Sequence, residues 1–328
     1  MNNKKTVLEF KDVSKFYDVS RNVKEIISGI KPQVKAVEKI SFKISQGESV
    51  GILGESGCGK TTLGKLILNL LESTYGKIFF LSNDINKLND KEKKDFKRSV
   101  QFVFQNPYDS LNPRFTIKDI LLEPLKSLGF KKENFEEMIN TSMQLVKLKN
   151  ISEYLDKFPH ELSGGQLQRV VLARALIINP IFVVADEPVS MLDVSVRAGI
   201  LNAFNEAKNK MNFTAIYISH DLALVKYVCE RTIVMYLGNI VEDGPTNQVV
   251  KNPLHPYTRA LVSAVPVPHV SQSHAPLPIK GNIPDATAEY KGCKFAERCP
   301  MAKEICFNTP PLLENKNNIG QKAACHFI

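Results

Sequence analysis

Long apolar segments and blocks of like charge are both missing from this 328-residue sequence. No run approaches the roughly 18 consecutive apolar residues that a membrane-spanning helix needs. The N-terminal stretch MNNKKTVLEFKD lacks the apolar core of a secretory signal. The net charge is +9, but the lysines are scattered, and the densest run, Lys91 to Arg98, is interleaved with acids. Such a run is typical of a solvated helix face. The net charge by itself allows either a nucleic-acid partner or an anionic membrane surface. We expect the protein to lie in the cytosol or on a cytosolic membrane face.

The order of apolar patterns along the chain indicates an α/β fold. Apolar runs predict strands at Lys77–Leu81, Ser99–Phe104, Ile181–Ala185 and Thr214–Ser219, and helical periodicity predicts helices at Asp119–Leu128, Phe135–Leu148, Gln166–Ile178 and Ser195–Met211. Residues 6–44 predict an antiparallel element with a polar insertion, Asp18 to Val34. Prolines crowd the stretch Pro253–Pro284, and periodicity fades after Ala264.

The stretch GESGCGKTT contains the pattern G-x-x-x-x-G-K-T between a predicted buried strand and a predicted helix. In that context glycines let backbone N–H groups converge on phosphate oxygens, and the helix start adds its positive dipole end. The alternative is an ordinary glycine-rich turn. The residues expected to bind a nucleoside triphosphate are Gly54, Glu55, Ser56, Gly57, Cys58, Gly59, Lys60, Thr61 and Thr62. Lys60 would reach the β- and γ-phosphates, and the Thr61 hydroxyl would ligate Mg²⁺.

The stretch IFVVADEP, Ile181 to Pro188, is a buried strand that ends in two acids. Asp186 would hold Mg²⁺, directly or through water, and Glu187 would polarise an attacking water. Taken alone, the pair could be two solvated acids at a strand end. Together with the glycine-rich loop it indicates catalysis.

The stretch LSGGQ, Leu162 to Gln166, precedes the predicted helix Gln166–Ile178. Ser163 is a good N-cap residue, and the two glycines expose backbone N–H groups. This arrangement predicts a second anion site at a helix N-terminus. The expected contacts to a phosphate come from Ser163, Gly164, Gly165 and Gln166.

In residues 6 to about 250 the sequence resembles the ATPase subunits of ATP-binding-cassette (ABC) transporters, with the hallmarks in the usual order. The resemblance implies a P-loop NTPase core with an antiparallel β subdomain, a helical subdomain and here a Cys/Pro-rich C-terminal extension. We expect residues 1–252 to form the nucleotide-binding domain, with the helical subdomain at about 116–158, and residues 253–328 to form the extension. The family also implies a head-to-tail dimer, in which each LSGGQ loop covers the ATP of the other subunit.

The resemblance assigns further roles. Tyr17 resembles the aromatic residue that stacks on adenine, although it could be a strand-end tyrosine in a small core. Gln105 resembles the glutamine that touches Mg²⁺ and couples to the membrane subunits, so that Thr61, Gln105 and Asp186 would hold the ion. Asp193 resembles the acid that communicates across the dimer, beside Met191 where the family more often has alanine. His220 resembles the histidine that contacts the γ-phosphate, which makes Glu187, His220 and Lys60 the expected catalytic residues.

Two stretches, FQNPYDSLNPR and HPYTRALVSAVP, resemble the oligopeptide/dipeptide importers. The insertion Asp18–Val34, the cysteine in GESGCGKTT and the tyrosine in FQNPY resemble the F-type ATPase subunit of those importers. The resemblance implies ATP hydrolysis coupled to peptide import at the cytoplasmic face of the membrane. The implied partners are a second ATPase subunit, two integral-membrane permeases and, indirectly, an extracellular substrate-binding protein, with no nucleic acid among them. Nickel or glycosides remain alternative solutes. The rival classes are a soluble ABC ATPase that acts on DNA or ribosomes and a module that binds ATP without hydrolysing it.

Cysteines are few, six in all, and four of them lie in the last 36 residues: Cys293, Cys299, Cys306 and Cys325. A cytosolic setting favours metal over stable disulfides. Five and six residues separate the first three, wider than the usual pairs of zinc sites, and Pro300 follows the second. The spacing and a resemblance to cysteine-rich importer tails favour a structural [4Fe–4S] cluster. Zinc and unmetallated thiols are the alternatives. Cys229 is expected as a buried thiol on an apolar helix face.

Overall fold

The computed structural model describes residues 5–19, 33–264, 279, 281, 284, 287–317 and 319–328. Most of the insertion Asp18–Val34 and much of the proline-rich stretch 253–284 therefore lie outside the described residues. Contacts within the chain define two units. The first contains Met1–Lys5, Ser45–Ser49 and Lys87–Ile218, and the second contains Thr6–Ile44, Val50–Asn86 and Ser219–Ile328.

The described residues form twelve strands and eleven α-helices. The strands are β1 Thr6–Asp18, β2 Gln33–Ser45, β3 Ser49–Leu53, β4 Tyr75–Phe80, β5 Asn83–Asp84, β6 Val100–Val103, β7 Phe182–Asp186, β8 Thr214–Ser219, β9 Arg231–Tyr236, β10 Asn239–Pro245, β11 Glu314–Asn315 and β12 Lys322–Ala323. The helices are α1 Lys60–Ile67, α2 Asp90–Ser99, α3 Ile117–Ser127, α4 Phe135–Leu145, α5 Ser152–Leu155, α6 Gly164–Leu176, α7 Val194–Met211, α8 Leu222–Val228, α9 Thr246–Lys251, α10 Pro256–Ser263 and α11 Glu304–Asn308. In the described part of the chain, no helix has the length and apolarity needed to cross a membrane.

The first unit is built on parallel strands. β6 pairs with β7 from Val100↔Phe182 onward, and β7 pairs with β8 from Phe182↔Thr214 onward. Every residue of β7 and β8 is buried, which explains why both read as continuous apolar runs. Parallel pairing brings the carboxyl ends of the strands to one edge of the sheet, and β7 ends there at Asp186.

Side-chain caps set the starts of several helices in the first unit. Asn89 and Glu92 form a reciprocal capping box at the start of α2, which runs to Ser99, so the strand predicted from Ser99 begins one residue later. The Thr116 hydroxyl accepts a hydrogen bond from the Asp119 backbone at the start of α3. The segment predicted to be helical contains α3, α4 and α5.

The second unit contains an antiparallel sheet with strand order β2-β1-β4-β5. β1 pairs with β4 from Leu8↔Phe80 to Ser14↔Tyr75. Along β2, Ile40, Phe42 and Ile44 are buried and alternate with more exposed residues, as their spacing predicts. Phe42 stacks on Phe10 of β1, with ring centroids 4.6 Å apart.

The second unit also contains the strand that precedes the glycine-rich loop. β3 pairs in parallel with β9, from Val50↔Arg231 to Leu53↔Val234. β9 and β10 form an antiparallel hairpin whose turn, Leu237–Gly238, has positive φ at both residues. β12 pairs with both β10 and β11, which attaches the C-terminal residues to the hairpin. The helix α10 begins after His255, whose Nδ1 accepts a hydrogen bond from the Tyr257 backbone.

Candidate functional site

The stretch GESGCGKTT forms a loop between β3, which is wholly buried, and α1, as its pattern predicts. Gly57 and Gly59 have φ angles of 80° and 103°, a region that glycine enters without strain. A Cβ on Gly59 would lie 2.0 Å from the Ala36 carbonyl oxygen. Only glycine therefore fits this position, where the loop turns into the helix. Ser56, Gly57 and Thr61 are exposed and accessible to a ligand.

Lys60, the first residue of α1, turns its ammonium back into the loop. Its Nζ donates hydrogen bonds to the carbonyl oxygens of Gly54 at 2.6 Å and Glu55 at 2.8 Å. The residue is only 7% exposed. The loop carbonyls thus hold the cation that is predicted to contact phosphate.

Neighbouring elements of the second unit contact the phosphate loop through its backbone. The Gly238 backbone N–H donates to the Cys58 carbonyl at 3.0 Å, so the β9–β10 turn contacts the loop. Cys58 is buried, and burial raises the pKa of its thiol.

Tyr17, the residue predicted to stack on adenine, lies near the end of β1. It is about one-third exposed, and the Lys15 ammonium lies 5.4 Å from its ring centroid.

At the carboxyl end of β7 the structure brings two of the predicted residues together. The Gln105 Nε2 donates to the Glu187 Oε2 at 2.9 Å. Asp186 is buried, and the Glu187 backbone N–H continues the pairing with β8 by donating to the Ile218 carbonyl at 2.9 Å. Glu187 has a φ of 45°, in the left-handed region that a non-glycine residue seldom occupies. Gln105 therefore orients the Glu187 carboxylate, which the sequence alone predicted only as an acid at the end of a strand.

The LSGGQ stretch starts helix α6, and Ser163 is its N-cap, as predicted. The Ser163 Oγ accepts from the Gln166 backbone at 3.4 Å, and the Gln166 Oε1 accepts from the Ser163 backbone at 3.0 Å. A Cβ on Gly165 would lie 2.6 Å from the Val196 Cγ1, so glycine lets α6 and α7 approach closely. The loop has its helix-capping geometry without a partner subunit.

Asp193 is the N-cap residue of α7, although its side chain makes no capping hydrogen bond. Met191, two residues earlier, is 64% exposed, so the methionine does not fill a core position. Arg197 fixes this loop, because its Nε donates to the Leu192 carbonyl at 2.8 Å and its Nη2 to the Ser190 carbonyl at 3.2 Å. Sequence analysis did not identify Arg197, since an arginine early in a helix has no distinctive pattern.

His220 lies between β8 and α8 and is exposed. The next residue, Asp221, caps α8 by accepting from the Ala223 and Leu224 backbones. The histidine is thus fixed at the junction of a buried strand and a capped helix. The predicted ATP-site residues are divided between the units: Gln105, Ser163–Gln166, Asp186, Glu187 and Asp193 belong to the first, and Tyr17, Gly54–Thr62 and His220 to the second.

None of the six cysteines, all among the described residues, forms a disulfide bond. Cys229 is buried as predicted, but it is the residue that ends α8 rather than one on its face. Burial raises the pKa of Cys293 to about 11, and the thiols of Cys306, Cys299 and Cys325 add to the rise, so the four lie in one neighbourhood. Within the described residues, however, no group of three or more Cys, His, Asp or Glu side chains is placed to hold a metal ion.

Two residues of the C-terminal segment (residues 253–328) contact the phosphate loop. The sequence did not predict either contact. The Tyr257 hydroxyl accepts a hydrogen bond from the Glu55 backbone N–H at 2.8 Å. The Arg298 guanidinium forms a two-pronged ion pair with the Glu55 carboxylate, at 2.8 and 3.1 Å. The residues involved are 202 and 243 positions apart, so no local pattern could reveal them.

Comparison with known proteins identifies matching family models and relatives. The family model described as ABC transporter matches residues 37–190, and the model described as oligopeptide/dipeptide transporter, C-terminal region, matches residues 241–306. The oligopeptide transport ATP-binding protein AppF of Bacillus subtilis is 39% identical over 99% of this chain and 97% of its own. The corresponding protein OppF of Salmonella typhimurium is 38% identical over 95% of this chain and 93% of its own.

Solved structures share the fold. The ATP-binding cassette MJ0796, in a dimeric post-hydrolysis state bound to ADP and Pi, has a TM-score of 0.63 and 26% identity over 73% of this chain and 98% of its own. The cbiO1 protein of Clostridium perfringens has a TM-score of 0.65 over 76% of this chain and 92% of its own. The predicted P-loop ATPase core is thereby confirmed. The chain belongs to the ABC transporter family, as an ATP-binding subunit of the F type in its oligopeptide/dipeptide importer branch.

Proposed function

We propose that this chain hydrolyses ATP to power the import of di- or oligopeptides through a membrane ABC transporter. The observation that carries the proposal is the full-length similarity to oligopeptide transport ATP-binding proteins. The intact set of Lys60, Asp186, Glu187 and His220 supports hydrolysis rather than ATP binding alone. As a peripheral subunit, the chain would work at the cytoplasmic face of the membrane.

In the proposed mechanism each residue does work suited to its chemistry. The loop from Gly54 to Thr62 presents backbone N–H groups to the phosphates, and the Lys60 ammonium exchanges its loop carbonyls for β- and γ-phosphate oxygens. Glu187 orients or deprotonates the attacking water, with its carboxylate steadied by Gln105. His220 contacts the γ-phosphate, and Tyr17 stacks on the adenine ring.

A magnesium ion would suit the oxygen donors of Thr61, Asp186 and Gln105, which are of the hard type that this cation prefers. Because the Gln105 amide nitrogen donates to Glu187, its amide oxygen remains the acceptor of that side chain. When bound, the ion supplies charge neutralisation at the β- and γ-phosphate oxygens.

The proposed assembly pairs this chain head to tail with a second ATPase subunit. The Ser163–Gln166 loop would contact ATP held by that partner, and Asp193 would communicate across the interface. Two integral-membrane permease subunits would receive the motion, and an extracellular substrate-binding protein would deliver the peptide to them. We further propose residues 1–252 as the nucleotide-binding domain, with its helical subdomain at about 116–158, and 253–328 as the extension.

The test is ATP turnover in the assembled transporter with wild-type chain and with Glu187→Gln. The variant should bind ATP as the wild type does and lose turnover, because only the transition-state contribution is removed. Stimulation of the wild-type rate by peptide, but not by nickel or glycoside, would identify the solute class. Near-normal hydrolysis by the variant would contradict the role of Glu187, and co-purification with ribosomes or DNA instead of membrane proteins would contradict the transport function.

We also propose that Cys293, Cys299, Cys306 and Cys325 hold a [4Fe–4S] cluster with a structural role. The presence of four cysteines in one short segment supports it, as does the contribution of the other three thiols to the raised pKa of Cys293. Their present arrangement does not enclose a metal ion, so the proposal rests on ligand number and proximity. Anaerobic purification should give a brown protein with about four irons per chain. One zinc per chain, or no metal at all, would contradict it.

A further inference from the structure

The C-terminal segment, residues 253–328, contacts Glu55 of the phosphate loop through two different side chains. Tyr257, near the start of α10, accepts a hydrogen bond from the Glu55 backbone N–H. Arg298, at the end of a short 3₁₀ helix (Ala296–Arg298), forms an ion pair with the Glu55 carboxylate. Glu55 is the second residue of the loop, and its own carbonyl accepts from Lys60 at 2.8 Å. Glu55, whose carbonyl orients the catalytic lysine, is thus bound through its backbone N–H by Tyr257 and through its side chain by Arg298.

Packing fixes both groups that hold Glu55. Tyr257 is fully buried against Tyr236 and Phe295, with ring centroids 4.8 and 5.5 Å away. The Arg298 guanidinium lies 5.7 and 5.9 Å from the centroids of the same two rings and donates to the Tyr236 hydroxyl at 3.3 Å. Neither side chain can leave Glu55 without disrupting this aromatic cluster.

The protonation states suit the contacts. Burial is the largest influence that raises the pKa of Tyr257, so its phenol stays neutral and its oxygen accepts from the Glu55 amide. Hydrogen bonding to the Glu55 carboxylate raises the pKa of Arg298, so the guanidinium stays charged. The Arg298 side chain is 9% exposed and that of Glu55 24% exposed, so solvent screens the ion pair only in part.

We propose that Tyr257 and Arg298 are positioning residues that preform the phosphate loop for ATP through Glu55. The idea rests on the proposed ATPase function and adds to it a role for the C-terminal segment. Neither side chain needs to touch the nucleotide. Their effect passes through the loop backbone, which has its binding shape before ATP arrives. Only the Lys60 ammonium then moves, from the Gly54 and Glu55 carbonyls to the phosphates.

The test measures the Kd of the full-length chain for a fluorescent ATP analogue and, in parallel, its urea unfolding midpoint. Tyr257→Phe removes only the accepting oxygen, and Arg298→Gln removes the charge. Each should raise the apparent Kd by about tenfold or more, because Kd rises in inverse proportion to the fraction of chains whose loop already has its binding shape. Arg298→Lys should recover part of the loss, since it keeps the charge but not the two-pronged geometry.

A matched control lies in the same unit. Arg231 forms a two-pronged ion pair with Asp243 at 2.7 and 2.8 Å, and it pairs in register with Val50, at the other end of β3 from the phosphate loop. Arg231→Gln should lower the unfolding midpoint and leave Kd unchanged. In a Glu55→Gln background, Arg298→Gln should add little further, because its route to the loop is already weakened.

The outcomes separate the two ideas. If the wild-type chain binds no ATP analogue, the proposed function fails. If it binds and Arg298→Gln behaves as Arg231→Gln does, with lower stability and unchanged Kd, the segment is merely a structural attachment and the inference is wrong. Tyr257→Phe with wild-type Kd and stability would equally contradict it, and this variant keeps the ring that packs in the cluster.

Discussion

Two glycines of the phosphate loop allow steric exclusion to be separated from backbone strain. Gly57 and Gly59 both have positive φ, at 80° and 103°. A Cβ on Gly57 would meet no atom within 4 Å, whereas on Gly59 it would lie 2.0 Å from the Ala36 carbonyl oxygen. Alanine at either position has the same chemistry, so any difference between the two variants comes from the clash.

The expected magnitudes follow from these observations. Left-handed backbone costs an L-residue about 1–2 kcal/mol, which is the whole expected loss in the free energy of unfolding for Gly57→Ala. Gly59→Ala adds an overlap far inside the 3.3–3.6 Å that close carbon–oxygen contacts show. Relief of such overpacking costs about 1–3 kcal/mol, so the total is about 2–5 kcal/mol.

The assay is urea unfolding followed by circular dichroism, with the change in midpoint converted through a shared m-value. Gly59→Ala should unfold at clearly lower urea than Gly57→Ala. Equal losses in the two variants would refute the reasoning, because they would mean that the Ala36 strand yields without cost. A smaller loss for Gly59→Ala would refute it more strongly.

Three further predictions concern other parts of the molecule. Ser163→Arg should abolish the rise in ATPase rate that follows addition of the partner cassette and permease, since it places bulk and charge on the loop offered to the partner; a normal rise would contradict the head-to-tail model. Gly165→Ala should lower the free energy of unfolding by about 1–3 kcal/mol because its Cβ would lie 2.6 Å from Val196, whereas Gly164→Ala, at 3.3 Å from Leu192, should cost less by the same unfolding assay. Burial lowers the pKa of His255 to about 3, so below about pH 6.5 the unfolded chain takes up a proton that the folded chain refuses. The free energy of unfolding should therefore fall by about 1.4 kcal/mol per pH unit on acidification towards pH 3, and His255→Asn, which can still cap α10, should flatten that slope in unfolding measured from pH 7 to 4; an unchanged slope would assign the effect to other groups.

Elements with strong local patterns could be predicted from the sequence. β7 and β8 are buried on both faces and read as uninterrupted apolar runs, and Ser163 announces the start of α6. The β9–β10 hairpin was missed, although the apolar run Thr232–Tyr236 followed by Leu237–Gly238 was a usable signal. β12 carried no such signal, since its two residues form a strand through pairing with β10 and β11, which lie far from each other in the sequence.

The candidate site divides in the same way. Residues of the phosphate loop and of the LSGGQ stretch are constrained by backbone geometry over a few positions, so their spacing alone points to their place. Arg298 and Tyr257 are recognisable only through the fold, because their contact to Glu55 depends on how β9, β10 and the C-terminal segment pack within the second unit. Residues that act within one loop could therefore be predicted from local sequence, whereas residues that contact that loop from distant positions could not.

The left-handed backbone of Glu187 has a consequence for how this enzyme could be made more robust. Glycine at this position would relax the backbone by about 1–2 kcal/mol, and it would remove the proposed water-activating carboxylate at the same time. Selection for heat resistance alone would therefore favour a more durable, inert protein at this position. Engineering for both stability and activity therefore has to keep glutamate in this strained conformation and add stabilising substitutions at other positions.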